Sequence, residues 1–333
     1  MADHSRADVY EHGDERVAIA VISSIMPAPK AASGMAEGTG GTVFVFPGQG
    51  WQSTRLAAEM LDSAPAFADE MRHCEAAFTE FVDWSVLDAV RGGIGSLGLD
   101  RVDVVQPVLF AVTVSLAAQW RALGIQPDAV LGHSHGEVAA AYVADGLSLR
   151  DAAKVITLRS RAIRAIAGAG GMVTIGWPVE RVLELIEPWR RSISVAAQDG
   201  PFSTVVSGDA AAVDELMGRC ERDRVPATRQ PVDCASHSTQ VETLRDTLRE
   251  TLSGLRPRAG EIAYISGVTG AGLDTSILDG DYWFANLRQP VLFEQAVRWS
   301  YEHGYRTFIE ASPHATLSAG IRDSLQEYSH ADQ

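Results

Sequence analysis

The run Gly132-His133-Ser134-His135-Gly136 places a serine between two glycines. An apolar run, Ala129-Val130-Leu131, precedes it and a helix-forming run, Glu137 to Ala144, follows. In a strand–turn–helix setting the G-x-S-x-G pattern is a nucleophile elbow, whose sharp turn tolerates only small neighbours. Ser134 would then stand at the N-terminus of a helix, where the dipole and the backbone N–H of His135 favour developing negative charge. Outside that setting the same pattern is a tight turn whose serine caps a helix.

A serine hydroxyl needs a base at neutral pH. Of nine histidines, His4, His12 and His330 lie near the chain ends, His73 and His303 sit among charged helical residues, and His133 and His135 flank the serine too closely to fold back on it. His237 and His314 remain, both in loops beside expected strand ends, where α/β catalytic groups gather. Spacing favours His237, and either could instead be a structural histidine bonded to a carbonyl. Arg159, on the helix after the elbow, is placed to clamp a carboxylate bidentately, or else shares a solvated basic face with Arg161 and Arg164. Cys234 lies three residues before His237 and reads as a pocket residue or a small buried one. Pro47-Gly48-Gln49-Gly50-Trp51 ends a strand in a glycine-rich turn suited to an oxyanion or another anion, or is a simple Pro-Gly turn.

The elements that must carry these residues are legible in outline. Residues 1–16 are polar and read as a coreless tail, Val17–Ile25 as a strand or short helix, and Pro27 to Gly41 as a linker. Thr42–Phe46 is a buried strand by composition. Helices are expected at 55–62 and 66–80, then one started by Pro107 and closed by Gly124. Ser148 with Asp151 three residues on opens another, to about Ala167. From 170 to 232 the pattern is β-α-β-β-α-β, the ferredoxin-like order. The body then resumes with a helix over 239–252, a strand at 262–266, helical residues within 281–302 and a strand at 307–310.

The chain has 333 residues, 46% of them hydrophobic and 21% charged, as expected of a globular protein. Its net charge of −15 argues against nucleic acid or an anionic membrane as partner. No apolar stretch reaches membrane-spanning length, and the short apolar run Val17 to Ile25 follows acidic residues rather than a basic segment, so no signal peptide is expected. Three cysteines without metal-ligand spacing point to a reduced, cytoplasmic setting and to no metal.

From about Val43 to Ser324 the sequence resembles the acyltransferase domains of modular polyketide synthases and, more distantly, the malonyl-CoA:carrier-protein transacylases of fatty-acid synthesis. The resemblance rests on Val45-Phe46-Pro47-Gly48-Gln49-Gly50, Arg101 to Pro107, Gly132 to Glu137 and Leu158-Arg159-Ser160. It continues in Val205 to Gly208, Cys234-Ala235-Ser236-His237, Asn286-Leu287 and Ile309 to His314. It implies an α/β fold: a hydrolase-like large subdomain (42–169 and 233–333) with a parallel sheet and elbow, an inserted ferredoxin-like small subdomain (170–232), and residues 1–41 as an extension or linker.

The resemblance also implies roles. Ser134 is the acyl nucleophile and His237 its base, oriented by the Asn286 carbonyl. The N–H groups of Gln49 and His135 form an oxyanion hole, each worth about 3 kcal/mol. Gln106, Cys234 and Ser236 line the acyl site, and Arg159 binds the free carboxylate of a malonyl-type group. The implied reaction is ping-pong transfer from an acyl-CoA, or an acyl carrier protein thioester, to the phosphopantetheine thiol of an acyl carrier protein, with no bound cofactor.

Arg101 to Gln106 resembles the signature of methylmalonyl-selective members. Cys234 stands where that class has Tyr, which would enlarge the pocket for a bulkier 2-substituent; His135 stands where Gln is usual, and Asp199 where Asn is usual. The 333 residues contain no ketosynthase or carrier domain, so a discrete, trans-acting enzyme is expected, and a shuttle of a non-malonyl acyl group between two carrier proteins is the alternative. An esterase shares the elbow but needs an acid between Ser and His in sequence order, and a non-catalytic docking module would not need the full residue set. Arg190, Arg191, Arg222, Arg224, Arg288 and Arg298 are candidates for docking an acidic carrier.

Overall fold

The computed structural model describes residues 5–12, 15–22, 40–48, 54–93 and 98–331. Eleven strands are present among them: β1 (Ser5–His12), β2 (Glu15–Ile22), β3 (Gly41–Phe46), β4 (Ala129–Gly132), β5 (Gly170–Ile175), β6 (Ile193–Gly200), β7 (Ser203–Asp209), β8 (Ala227–Arg229), β9 (Ala263–Ser266), β10 (Ala271–Leu273) and β11 (Tyr305–Glu310). They form a seven-stranded sheet in the order β1-β2-β11-β3-β4-β9-β10 and a four-stranded sheet in the order β6-β7-β5-β8.

In the large sheet β2, β11, β3, β4 and β9 pair in parallel, with β1 and β10 antiparallel at the two edges. Parallel strands are covered on both faces, and the sequence of β3 shows how. Phe44 and Phe46 enter one apolar cluster, whereas Val43 and Val45 enter the other, because successive side chains leave a strand on opposite faces. The neighbouring β4 divides in the same way, Val130 to one side and Ala129 and Leu131 to the other.

The small sheet is antiparallel throughout, and its order is the ferredoxin-like one expected from the β-α-β-β-α-β pattern. The helices Val179–Ile186 and Ala210–Asp223 supply Val182, Val213 and Leu216 to a core shared with Val173, Ile175 and Val206. Strand β6 is tied to the large subdomain: Val291 donates to Ala196 O at 2.9 Å and Gln198 donates to Val291 O at 2.8 Å.

Three expectations need correction. Residues 5–12, read as part of a polar tail, form a strand, and of the two readings of Val17–Ile25 the strand is the one present, as far as Ile22. These are β1 and β2; β2 lies between β1 and β11, and its run Val17–Val21 is apolar at every position, as suits a strand flanked on both sides. The helix read as starting at Pro107 begins at Val102, so Pro107 lies inside Val102–Ala122. Pro107 removes one bond to the Asp103 carbonyl, a loss outweighed by the burial of Val102, Val104 and Val105. That 21-residue helix has a window of mean hydropathy 1.5, long and apolar enough to cross a membrane, but 89% of the window is buried within the protein. The cap expected at Ser148 is present, with its hydroxyl accepting from the Asp151 N–H at 3.1 Å.

The elbow is sterically closed. A Cβ on Gly136 would lie 2.2 Å from the Phe46 carbonyl oxygen, and one on Gly132 would lie 2.3 Å from Glu137 Cα. Gly124, by contrast, has φ +90 and open space around it. Gly136→Ala is therefore expected to destabilise by about 3 kcal/mol or prevent folding, because the clash is with main chain. Gly124→Ala is expected to cost about 1 kcal/mol. Urea unfolding of the two variants checks this ordering, and equal losses would contradict it.

Candidate active site

Ser134 follows β4 directly and precedes the helix Gly136–Val143, so the strand–turn–helix setting is present. Its φ is +54, a left-handed conformation that costs a non-glycine residue free energy. His237 has φ +61. Ser134 Oγ lies 2.8 Å from His237 Nε2 across 103 residues of sequence. His237 Nδ1 lies 2.7 Å from the main-chain oxygen of Gln289, which can only accept, so Nδ1 carries the hydrogen and Nε2 presents its lone pair to the serine. Burial, with the nearby charge of Arg159 second, lowers the His237 pKa to about 3, so the ring is neutral at physiological pH.

The orienting carbonyl is that of Gln289, not Asn286. Asn286 lies within the last turn of the helix Gly280–Arg288, where carbonyls run along the axis. Gln289 follows it with φ −79 and ψ 155, which turns its carbonyl out of that line. Asn286 serves the site through its side chain instead: Nδ2 donates to Ser134 O at 3.1 Å and to Glu137 Oε1 at 3.0 Å. The Glu137 carboxyl also accepts from Tyr264 Oη at 2.6 Å and Tyr282 Oη at 2.5 Å. Burial pushes the Glu137 pKa up, against the lowering by those three donors. Sequence reasoning passed over this brace; its signal was one acidic residue opening an otherwise apolar helix. The main chain of the His237 loop is held as well, by its N–H on Leu287 O at 2.8 Å.

Ser134, His237, His135, Gln106 and Ser236 line one cavity of about 430 Å³ between the two subdomains. Gln49 lies outside the described residues. The Gly136, Glu137 and Val138 N–H groups bond back to His133, Ser134 and His135, whereas the His135 N–H has no acceptor among the described residues. The His135 side chain is buried, and burial, followed by the charge of Arg159, holds its pKa well below the usual histidine value.

Arg159 is 1% exposed. Its Nη1 donates to Gln106 Oε1 at 3.1 Å, while Nε and Nη2, the side-on edge of the guanidinium, have no partner among the described residues. Burial lowers its pKa to about 10, which leaves it cationic at neutral pH. It is thus no member of a solvated basic face. Cys234 is not among the residues that line the cavity: it is buried in the apolar core with Sγ 3.9 Å from Ser236 Oγ. His314, the other candidate base, is exposed and outside the cavity.

Of the arginines considered for docking, Arg190 pairs with Glu187, Arg288 with Glu242, and Arg298 with Glu294 and Glu327. Arg191, Arg222 and Arg224 form no ion pair among the described residues.

A serine elbow facing a carbonyl-held histidine, in a parallel α/β body with a ferredoxin-like insert, defines a serine-elbow transfer or hydrolysis fold. The chain matches the family described as "Acyl transferase domain" over residues 43–333 and belongs to that family; it is an acyltransferase. It is 52% identical over 299 residues to mycoketide-CoA synthase of Mycobacterium tuberculosis, covering 90% of this chain and 7% of that protein. The acyltransferase domain from module 8 of the salinomycin polyketide synthase superposes with a TM-score of 0.84 at 49% identity, covering 87% of this chain and 70% of that one. A loading acyltransferase of the avermectin modular polyketide synthase gives 0.84 at 44%, covering 86% and 92%. The chain therefore spans a small part of its long curated relative.

A buried neutral histidine makes stability depend on pH. Between about pH 6.5 and pH 3 the unfolded chain binds a proton at His237 that the folded chain does not, so stability falls as pH falls, by at most about 1.4 kcal/mol per unit. His237→Gln is expected to flatten part of this acid slope in denaturant melts at pH 4 to 6 (roughly the middle of that window). Parallel curves for the two proteins would contradict the assignment.

Proposed function

We propose that the protein transfers a carboxylated acyl group, a 2-substituted malonyl of the methylmalonyl kind, from a thioester through Ser134 to the phosphopantetheine thiol of an acyl carrier protein in polyketide assembly. The observation that carries this reading is the buried edge of Arg159, whose Nε and Nη2 both lack partners among the described residues. An orphaned guanidinium edge costs free energy unless an anion fills it, and a carboxylate matches its two parallel donors. The relatives act in the same chemistry by name, as polyketide synthase acyltransferase domains.

The steps follow from the geometry. His237 Nε2 takes the proton of Ser134 Oγ as Oγ attacks the thioester carbonyl. The tetrahedral oxygen faces the free N–H of His135, and Gln49 is the second donor proposed for it; one such donor contributes about 3 kcal/mol. The C–S bond breaks, and the proton on His237 goes to the departing sulfur. In the second half-reaction His237 takes the proton of the carrier thiol, sulfur attacks the acyl-serine carbonyl, the ester bond to Oγ breaks, and the proton returns to Ser134 Oγ. The Gln289 carbonyl stabilises the imidazolium that exists during each transfer. An esterase would direct water to the same acyl-serine, and the carboxylate edge of Arg159 gives no reason for one.

Ser134 acylation by a panel of acyl-CoAs, read by intact mass, tests the substrate class. Arg159→Ala is expected to lower kcat/KM for methylmalonyl-CoA by about 100-fold or more while sparing or improving use of propionyl-CoA. Equal losses with both donors would contradict the carboxylate role. Preference of the parent protein for uncarboxylated donors would overturn the reading.

A further inference from the structure

The acyl cavity contains a second charged pair that the transfer steps do not use. Asp199 is the penultimate residue of β6 in the small subdomain, and its Oδ1 lies 2.7 Å from Nε2 of His133, the residue before Ser134. Both line the cavity that holds Ser134. The main chain of Asp199 is fixed independently of this bond. Its neighbour Gln198 is bonded to Val291, and the Asp199 carbonyl packs so closely on Gly320 that a Cβ there would lie 2.1 Å away.

The surrounding charges are accounted for. On the cavity wall Arg229 pairs with Asp214 and Asp323 with Arg322. Glu137 lies beneath His133 within its three-donor cage, His135 and His237 are kept neutral by burial, and the Phe293 ring lies 5.7 Å away edge-on. Arg159 is the fixed cation of the site. Asp199 is thus the wall carboxylate whose counter-charge, among the described residues, comes from a titratable group.

We propose that Asp199 and His133 act together as a specificity-determining pair that sets the charge met by the acyl carboxylate. With His133 protonated the pair is neutral and the carboxylate is admitted to Arg159. With His133 neutral, Asp199 stands as an uncompensated anion in the wall, and carboxylated acyl groups bind more weakly. Burial alone would lower the His133 pKa, but the charge and hydrogen bond of Asp199 outweigh it and raise the value above that of an ordinary histidine. The switch accordingly falls above the pH at which an ordinary histidine loses its proton. The proposal rests on the reading of Arg159 as the carboxylate subsite.

Calorimetric binding to Ser134→Ala protein, in which no acyl transfer intervenes, tests it with N-acetylcysteamine thioesters, which carry no phosphate. The methylmalonyl thioester is expected to lose about fivefold in affinity between about pH 6.5 and 9, and the propionyl thioester to lose none. Asp199→Asn on the same background removes the charge, keeps an acceptor for His133 and is expected to abolish the pH dependence. A flat profile, no measurable binding, an equal loss with propionyl, or a loss that persists in Asp199→Asn overturns the proposal. Acylation of the wild-type protein, followed in parallel, separates the two readings: an adduct with flat binding sinks only this inference, whereas no adduct with any donor sinks the function proposed above.

Discussion

The contact of Ser134 Oγ with His237 Nε2 at 2.8 Å is the constraint on which the rest of the molecule depends. Both residues sit at positive φ, a conformation each would leave if its surroundings allowed. The fold prevents that at both ends. Gly132 and Gly136 let the elbow close against Glu137 and the end of β3, and Asn286 holds the Ser134 carbonyl. Gln289 and Leu287 hold His237 by ring and main chain. Since Asn286, Leu287 and Gln289 lie within four residues at one helix end, a single element positions both partners. Misplacement of reacting groups by an ångström is expensive in rate, which is what this bracing resists.

Burial then separates groups that would otherwise behave alike. His237 and His135 are driven neutral, Arg159 keeps its charge, and His133 is drawn toward its charged form by Asp199. The cavity is lined by the His237 ring and by the His133–Asp199 pair, with Arg159 buried behind it on Gln106. The unfilled edge of Arg159 is a local cost in the empty protein that a bound carboxylate would offset.

Much of this was legible in the residues. The elbow announced itself because its steric demand falls on two glycines at fixed spacing, and the ferredoxin-like insert because each element carried its own periodicity. Elimination left His237 and His314, and the resemblance to the acyltransferase family implied His237. What was hidden depends on tertiary direction. Asn286 and Gln289 are three residues apart, and only the end of a helix decides which carbonyl turns toward the ring. Cys234 adjoins site residues in sequence yet packs into the core. Asp199 and His133 are 66 residues apart, in different subdomains, so no local pattern could join them. Strand β1 was missed because its polar residues resemble a tail until β2 offers a partner.

The central claim is that Ser134 carries the acyl group between two thiols. Peptide mass mapping after brief exposure to methylmalonyl-CoA, before and after adding a phosphopantetheinylated carrier protein, tests it most directly. The account predicts an adduct on the Ser134 peptide that disappears as the same mass appears on the carrier, and no adduct in Ser134→Ala. An adduct on another residue, or an acyl-serine lost to water with none reaching the carrier, would contradict it.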